Sequence, residues 1–352
     1  MSYTSTMQQN NFNPTTTPTY RGGNRNGDYS GSMNNNSNYG YNANTYSNNS
    51  NYGGSSSNNE RRQQDDKSKG LKSNIALQAL NSNVLMWAGF FTVTMLLYCL
   101  VSGGDFSFLM TYGSLARLFG FGILNMKIFK GQRVTGVSIK TLQLYCVVFF
   151  FRLASTLVHE GYLPYDKSGD WLYHAVEGTS LLLASLALYA STVLFKNTYQ
   201  PKLDAFGGDM GTIYMAGIIL FLSIFVHPNL NQDFFSDTAW TFAFFLESAA
   251  LAPQLYMFKQ QSLPSSSSII DLLMAHFVFA LGFGRVMEFL FWIYSHHELE
   301  MSSGSKLPGY LALFSQIIQI IMMTNFLRGY FVAMKNSTPM KLPTNSLAVD
   351  MV

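Results

Sequence analysis

The sequence has few charged residues and only two cysteines. Charged side chains make up 12% of its 352 residues, against about 25% in soluble domains. The net charge of +3 is too small to indicate a nucleic-acid binder. Cys99 and Cys146 lie in separate apolar runs, so we expect free buried thiols, and neither a disulfide framework nor a metal site. The scarcity of charge indicates a membrane protein.

Sequence motifs of enzymes are missing as well. The sequence contains no GxSxG, no HExxH, no phosphate-binding P-loop and no paired cysteines. Nothing in it calls for a cofactor. We therefore expect a protein that is not an enzyme and that acts by binding or transport.

The N-terminal residues 1–83 are rich in Asn, Ser, Gly and Tyr and have too few aliphatic side chains to bury a core. This composition predicts a disordered tail. Eight apolar segments follow, each about long enough to cross 30 Å of hydrocarbon at 1.5 Å per residue. We place them near residues 84–101, 107–129, 141–159, 171–195, 210–226, 238–259, 269–294 and 310–334.

The first segment is joined to the second by the short turn SGGDF. Residues 84–106 therefore form an added transmembrane helix and turn ahead of a seven-helix domain at 107–335, and 336–352 form a C-terminal tail. GVSIKTLQLY opens the third segment and LAPQLYMF closes the sixth, each with a glutamine at one edge of the membrane. This echo is compatible with two parallel three-helix repeats joined by a linker helix. The predicted fold is an all-α polytopic bundle of 3+1+3 helices, similar to the sugar-carrier (SWEET/PQ-loop) type, plus one extra helix.

The charges of the loops alternate in sign along the chain. One set of loops is mainly basic, with Lys127, Lys130, Arg133, Lys140, Lys196, Lys202, Lys259, Arg328, Lys335 and Lys341. The other set is mainly acidic, with Asp105, Glu160, Asp166, Asp170, Asp233, Asp237, Glu298 and Glu300. Because basic loops face the cytosol, we expect both termini to be cytosolic and the acidic loops to be lumenal or external.

Several ionisable residues lie inside the apolar segments, where a charge needs a partner or a polar cavity. Arg152 and Glu247 lie at similar depths, about 18 Å and about 15 Å from the respective ends of their segments. Arg117 and Arg285 lie at comparable or slightly more lumenal levels. Glu288 also lies well inside its segment, whereas Glu177 is predicted to be shallower.

Two interpretations of these charges stay open. The first is simple pairing, of Arg285 with Glu288 along one helix and of Arg152 with Glu247 across helices. The second is an anion site, because three deep arginines against two deep carboxylates leave one arginine in surplus. An arginine fork suits a ligand carboxylate. Trp292, seven residues after Arg285, either floors such a pocket or is an aromatic residue of the membrane interface.

Four segments in order carry a resemblance to a known family. They read RLFGFGILNMKIFKGQRVTGVSIKTLQLYCVVFFFR, FKNTYQPKLDAF, WTFAFFLESAALAPQLYMF and AHFVFALGFGRVMEFLFWIY. This series resembles the KDEL receptors, the ER lumen protein-retaining receptors, from about residue 107 to 335. The resemblance implies a receptor that binds the C-terminal Lys/His-Asp-Glu-Leu tetrapeptide of escaped lumenal proteins in the Golgi and returns them to the ER.

The resemblance also implies roles for individual residues. Arg152 matches the arginine that holds the C-terminal carboxylate of the peptide. Further matches that line or buttress the site are Arg285, Trp292, Glu247, Trp240 and Asp237, and Arg117 and Glu288 join them by depth. Elsewhere the chain departs from the pattern of the family. Met110 and Ser295 replace ligand-binding arginines, Arg117 replaces a histidine important for the pH response, Gly284 replaces a tyrosine, and Ser155 and Asn325 replace aspartates.

The expected partners are the lumenal tetrapeptide, vesicle coat proteins on the cytosolic face and membrane lipid, and they do not include nucleic acid. Lys335 and Lys341 loosely resemble the lysine-rich sorting signal of the family. The expected location is the membrane of the endoplasmic reticulum and the Golgi. Two alternatives remain: a small-solute transporter of related fold, and a receptor-like paralogue that has lost retrieval activity.

Overall fold

The computed structural model describes residues 82–159, 169–229, 231–263, 269–303, 306–336 and 340. The predictions for the Asn-rich tail and for Lys341 therefore lie outside the described residues. Within these ranges, regular structure is helical apart from one isolated bridge between Ile270 and Met340. The prediction of an all-α polytopic membrane protein is confirmed.

The described residues form nine main helices in sequence order. They are α1 (Ser82–Ser102), α2 (Phe108–Gly131), α3 (Ile139–Val158), α4 (Gly169–Tyr189), α5 (Gly211–Val226), α6 (Phe234–Ala250), α7 (Ala252–Ser262), α8 (Leu272–Ser303) and α9 (Leu307–Asn336). A π-helical turn, Ala190–Leu194, continues α4. By length and composition, α1, α3, extended α4, α8 and α9 are suited to cross a membrane. Each of the eight predicted segments coincides with helix, and α8 runs further than predicted.

The sixth predicted segment, 238–259, is not one continuous helix. α6 ends at Ala250 and α7 begins at Ala252, with Leu251 between them. Pro253 falls in the first turn of α7, where its missing N–H costs least. The proline therefore separates the carboxylate-bearing α6 from the short α7 that carries Gln254.

The helices after α1 pack as two triplets. α4 packs against both α2 and α3, and α9 packs against both α6 and α8. The triplets meet where α2 packs on α8 and α3 packs on α6, and α5 packs against α6 as the linker. Both triplets thus place their third helix between the first and the second, which is the predicted 3+1+3 arrangement.

Two glycines allow α2 and α8 to approach closely. A Cβ atom on Gly284 would lie 2.7 Å from the carbonyl oxygen of Gly113. A Cβ atom on Gly113 would in turn lie 2.6 Å from Cγ of Glu288. Side chains at either position would force the two helices apart.

The added helix α1 lies over the seam between α2 and α8. The ring of Trp87 lies 5.0 Å from that of Phe119 on α2 and 5.1 Å from that of Phe279 on α8. Phe90 stacks on Phe119 at 4.5 Å. On the same helix, Cys99 is exposed, and Cys146 on α3 is only half-buried. Both thiols are free as predicted, but the prediction that they are buried is wrong.

The two ends of the bundle differ in their loops. At the end marked by Lys130 and Lys196, here called the basic end, Gln254 joins α7 to the loop before α3. Its Oε1 accepts a hydrogen bond from the backbone N–H of Ser138 (2.9 Å), and its Nε2 donates to the carbonyl of Gly136 (2.8 Å). The opposite end, marked by Asp105 and Asp233, is called the acidic end.

Candidate ligand-binding site

Six buried charged residues meet in one layer across the bundle. α2, α3 and α8 contribute the arginines, and α4, α6 and α8 contribute the glutamates. This charge layer consists of Arg117, Arg152, Glu177, Glu247, Arg285 and Glu288. Each residue is at most 4% exposed, so every charge in the layer must be balanced by its neighbours.

Glu247 is the centre of this layer. Its Oε1 lies 3.0 Å from Nη1 of Arg117, and its Oε2 lies 2.8 Å from Nη2 of Arg285. Oε2 also accepts a hydrogen bond from Nη2 of Arg152. The predicted pair of Arg152 with Glu247 is confirmed, but the carboxylate also contacts Arg117 and Arg285.

Glu177 overturns the predicted surplus of one arginine. It is fully buried and not shallow, and its Oε1 accepts from Nη2 of Arg117 (2.7 Å) and lies 3.5 Å from Nη1 of Arg152. The hydroxyl of Ser114 donates to the same oxygen (2.9 Å). Three arginines therefore face three glutamates, and the layer is neutral. The helix α4 begins at Gly169, within two residues of the predicted start, so the position of Glu177 follows from the packing of α4 against α2 and α3 and not from the bounds of the segment.

Glu288 completes the layer on the side of α8. It accepts from Nη1 of Arg285 (2.6 Å), as predicted from the i,i+3 spacing, and also from Nη1 of Arg117. Pairing along one helix and pairing across helices thus occur together.

A cluster of aromatic side chains covers the charge layer towards the acidic end. Its buried members include Met110, Tyr173, Trp240, Phe244, Phe291 and Trp292. The Trp240 and Trp292 rings lie 5.9 Å apart, and Phe244 stacks on Trp240 at 5.2 Å. Trp292 is 5% exposed, which favours its position inside the bundle over the interfacial alternative. The aromatic cluster forms an apolar wall above the arginines.

Asp237 is not brought into the charge layer. It lies in the first turn of α6 and is fully buried, but it precedes Glu247 by about 15 Å along the helix at 1.5 Å per residue. Its Oδ1 lies 3.4 Å from the backbone and side-chain nitrogens of Asn231. Its predicted role in ligand binding therefore concerns the acidic end. Lys335 lies in the last turn of α9, at the other end of the bundle.

Two glutamines that the sequence analysis did not single out lie on the inner face of α9. Gln316 and Gln319 are fully buried, and no amide atom of either has a hydrogen-bond partner among the described residues. They lie between Ala312, which packs in the aromatic cluster, and Met323, which belongs to the aliphatic core of the bundle. The sequence signal that could have identified them is the presence of two glutamines three residues apart in an apolar helix. Such a pair lies on one face of the helix, and buried amides need hydrogen-bond partners.

The acidic end of α3 is tied to the start of α6. The imidazole Nε2 of His159 lies 3.0 Å from Oδ2 of Asp233, and the hydroxyl of Ser155 donates to the carbonyl of Ser236 (2.8 Å). Hydrogen bonds from the Ser236 hydroxyl and from His159 hold the pKa of Asp233 at about 2. These contacts fix the helix ends beside the aromatic cluster.

Comparison with known proteins gives a consistent result. The family model described as ER lumen protein retaining receptor matches residues 133–295. A Drosophila melanogaster ER lumen protein-retaining receptor is 28% identical over 238 residues, which cover 66% of this chain and 96% of that protein. ER lumen protein-retaining receptor A of Arabidopsis thaliana is 26% identical over 237 residues with the same coverage. The human ER lumen protein-retaining receptor 2 is 27% identical over 236 residues, again with 66% and 96% coverage.

These alignments span nearly the whole length of the relatives. About a third of this chain lies outside these alignments. The matched family model and these relatives support the assignment of the chain to the family of ER lumen protein-retaining receptors.

Proposed function

We propose that this protein is a receptor for C-terminal retention signals of the KDEL or HDEL type and retrieves lumenal proteins from the Golgi to the endoplasmic reticulum. The observation that carries the proposal is the buried arginine layer beneath an aromatic wall, in a chain alignable with 96% of a relative named ER lumen protein-retaining receptor. Arginine forks bind carboxylates through paired hydrogen bonds. The tetrapeptide offers both a terminal carboxylate and acidic side chains.

Arg152, Arg285 and Arg117 are the proposed cationic groups of the site. Glu247 would hold their guanidinium groups in place, since it contacts all three. Trp292 and Trp240 would shield the bound peptide from water, which strengthens charge-assisted hydrogen bonds.

The proposal extends to orientation and partners. Loops of the basic end would face the cytosol and loops of the acidic end the lumen, because basic residues are retained on the cytosolic side. The tetrapeptide would then enter from the acidic end. Lys335, together with Lys341, would be available to vesicle coat proteins on the cytosolic face.

A second candidate is a receptor-like paralogue that does not bind retention signals. The neutral charge layer favours it, because all three arginines already have carboxylate partners. Ligand binding would have to exchange one of these partners.

Peptide binding by the purified full-length protein tests the receptor proposal. Binding of a peptide ending in His-Asp-Glu-Leu is measured at about pH 5.5, for the acidic Golgi, and at about pH 7.2, for the neutral endoplasmic reticulum. We expect saturable binding at one of these pH values or at both. Amidation of the peptide's terminal carboxylate should abolish that binding. Arg152→Lys keeps the charge but loses the fork, so it should weaken binding about tenfold, whereas Lys196→Ala at the basic end should have no effect. Lack of binding at both pH values would contradict the proposal.

A further inference from the structure

Glu288 joins arginines from two helices of the candidate site. Its carboxylate accepts from Nη1 of Arg285, one turn earlier on α8 (2.6 Å), and from Nη1 of Arg117 on α2. A ligand carboxylate held between two arginine forks would make the same kind of contacts. Glu288 therefore occupies, from within the chain, the place of a bound anion.

The backbone around Glu288 is shaped to admit its side chain. A Cβ atom on Gly113 would lie 2.6 Å from Cγ and 2.8 Å from Oε1 of Glu288. Gly284 is needed in turn for the approach of α2, because its own Cβ would lie 2.7 Å from the carbonyl oxygen of Gly113. The two glycines thus create the space in which the carboxylate reaches Arg117.

The three glutamates of the charge layer differ in how firmly they are enclosed. Glu247 contacts three arginines, and Glu177 contacts two arginines and accepts from the Ser114 hydroxyl. Glu288 contacts only two arginines, and its side chain is 5% exposed against 0–1% for the other two. It also lies one turn from Trp292 in the aromatic cluster. Glu247 and Glu177 also lie one turn from members of this cluster, Phe244 and Tyr173, so the greater exposure of its side chain is what makes Glu288 the most accessible of the three glutamates.

The arginines next to Glu288 have hydrogen-bonding capacity left over. Nε of Arg117 and Nε of Arg285 are buried and have no acceptor among the described residues. Both side chains are at most 2% exposed. Unsatisfied buried donors of this kind indicate a missing acceptor, and a second carboxylate oxygen or a peptide carbonyl would supply one.

We propose that Glu288 is an internal competitor for the anion site and that a ligand carboxylate binds at Arg117 and Arg285 by replacing it. This proposal rests on the receptor function proposed above, and it identifies Glu288 as the residue that sets the affinity of the site for the ligand carboxylate. Exchange of one carboxylate for another leaves three positive and three negative charges in the layer. An additional anion without such an exchange would leave a buried charge unbalanced.

The test compares Glu288→Gln with the natural protein in binding a peptide ending in His-Asp-Glu-Leu. Removing the competitor should tighten binding about tenfold, which corresponds to about 1.4 kcal/mol. The amidated peptide should show no such gain. Glu177→Gln is the matched control, because it removes the same charge from the same layer at an enclosed position, and it should not tighten binding.

The possible outcomes separate the two proposals. Binding by the natural protein that Glu288→Gln does not tighten overturns the competitor role and leaves the receptor function intact. Equal tightening by Glu177→Gln also overturns it, because a general charge effect would then suffice. Binding by Glu288→Gln alone supports the competitor role and contradicts retrieval by the natural protein. If neither protein binds, both proposals are overturned.

A second variant serves if Glu288→Gln does not fold. Glu288→Asp keeps the layer neutral, but its side chain is one methylene group shorter and should hold the two arginines less closely. We expect it to tighten binding of the free-carboxylate peptide several-fold, with no change for the amidated peptide. Unchanged binding of both peptides would overturn the competitor role.

Discussion

At the scale of single residues, the packing of α2 against α8 explains why position 284 is a glycine. By resemblance it is a position where a tyrosine has been lost. In the bundle it lies against the backbone of α2, and a Cβ atom would approach the carbonyl oxygen of Gly113 to 2.7 Å. A side chain at this position is therefore incompatible with the observed spacing of α2 and α8. The absence of a side chain at Gly284 permits the close approach of α2 and α8 at which Glu288 reaches Arg117.

Gly284→Ala should destabilise the protein by about 1–3 kcal/mol, because the methyl group overpacks the contact between α2 and α8. The measurement is thermal or denaturant unfolding in detergent. Gly122→Ala on α2 is the matched control, since a Cβ atom there meets nothing within 4 Å, and it should cause no loss. Equal stability of both variants would show that the two helices can separate freely.

At the scale of elements, the break between α6 and α7 lets the two halves of the predicted segment 238–259 contact different parts of the bundle. α6 carries Glu247 into the charge layer, whereas α7 carries Gln254 to the loop before α3. The glutamine satisfies two backbone groups of that loop, at Ser138 and Gly136. This buried contact fixes the start of α3, the helix that bears Arg152.

Gln254→Leu should lower the free energy of unfolding by about 1–3 kcal/mol for each backbone group left without a partner. The measurement is the same unfolding assay, combined with hydrogen exchange of the Ser138 amide, which should become faster. Gln260→Leu, at a half-buried position of the same helix, should change neither quantity. Protection of the amide retained in Gln254→Leu would contradict this role.

At the scale of the whole molecule, the charge layer is the feature that joins the two helix triplets. One triplet supplies Arg117, Arg152 and Glu177, and the other supplies Glu247, Arg285 and Glu288. The first triplet is therefore net positive in this layer and the second net negative. Their attraction is buried and acts across the seam where α2 meets α8 and α3 meets α6.

Removal of one charge should therefore be more harmful than removal of a pair. Arg285→Met leaves the layer with one uncompensated buried negative charge and should cost about 3–5 kcal/mol, whereas the double variant Arg285→Met, Glu288→Gln restores neutrality and should lose less than the single variant. A double-mutant cycle with Glu288→Gln measures the coupling. Additive losses would contradict a mutually balanced layer.

Hydropathy, loop charge and motif order in the sequence were enough to determine the class of this protein. They predicted helices at eight segments, the 3+1+3 plan and the pairs of Arg152 with Glu247 and of Arg285 with Glu288. The segments follow from local composition, the plan from an internal echo in the sequence, the pair of Arg285 with Glu288 from spacing along one helix, and the pair of Arg152 with Glu247 from the similar depths of the two residues. The structure confirms them, except that the sixth segment is divided into α6 and α7.

The charge balance of the site was decided by tertiary structure alone. Whether Glu177 reaches Arg117 depends on how α4 packs between α2 and α3. The spacing of residues within one helix does not determine this packing. The reach of Glu288 to Arg117 depends on Gly113 and Gly284, which are far apart in sequence and meet only when α2 packs on α8. The sequence thus identified the charges, and the packing of the helices decided which of them are already neutralised.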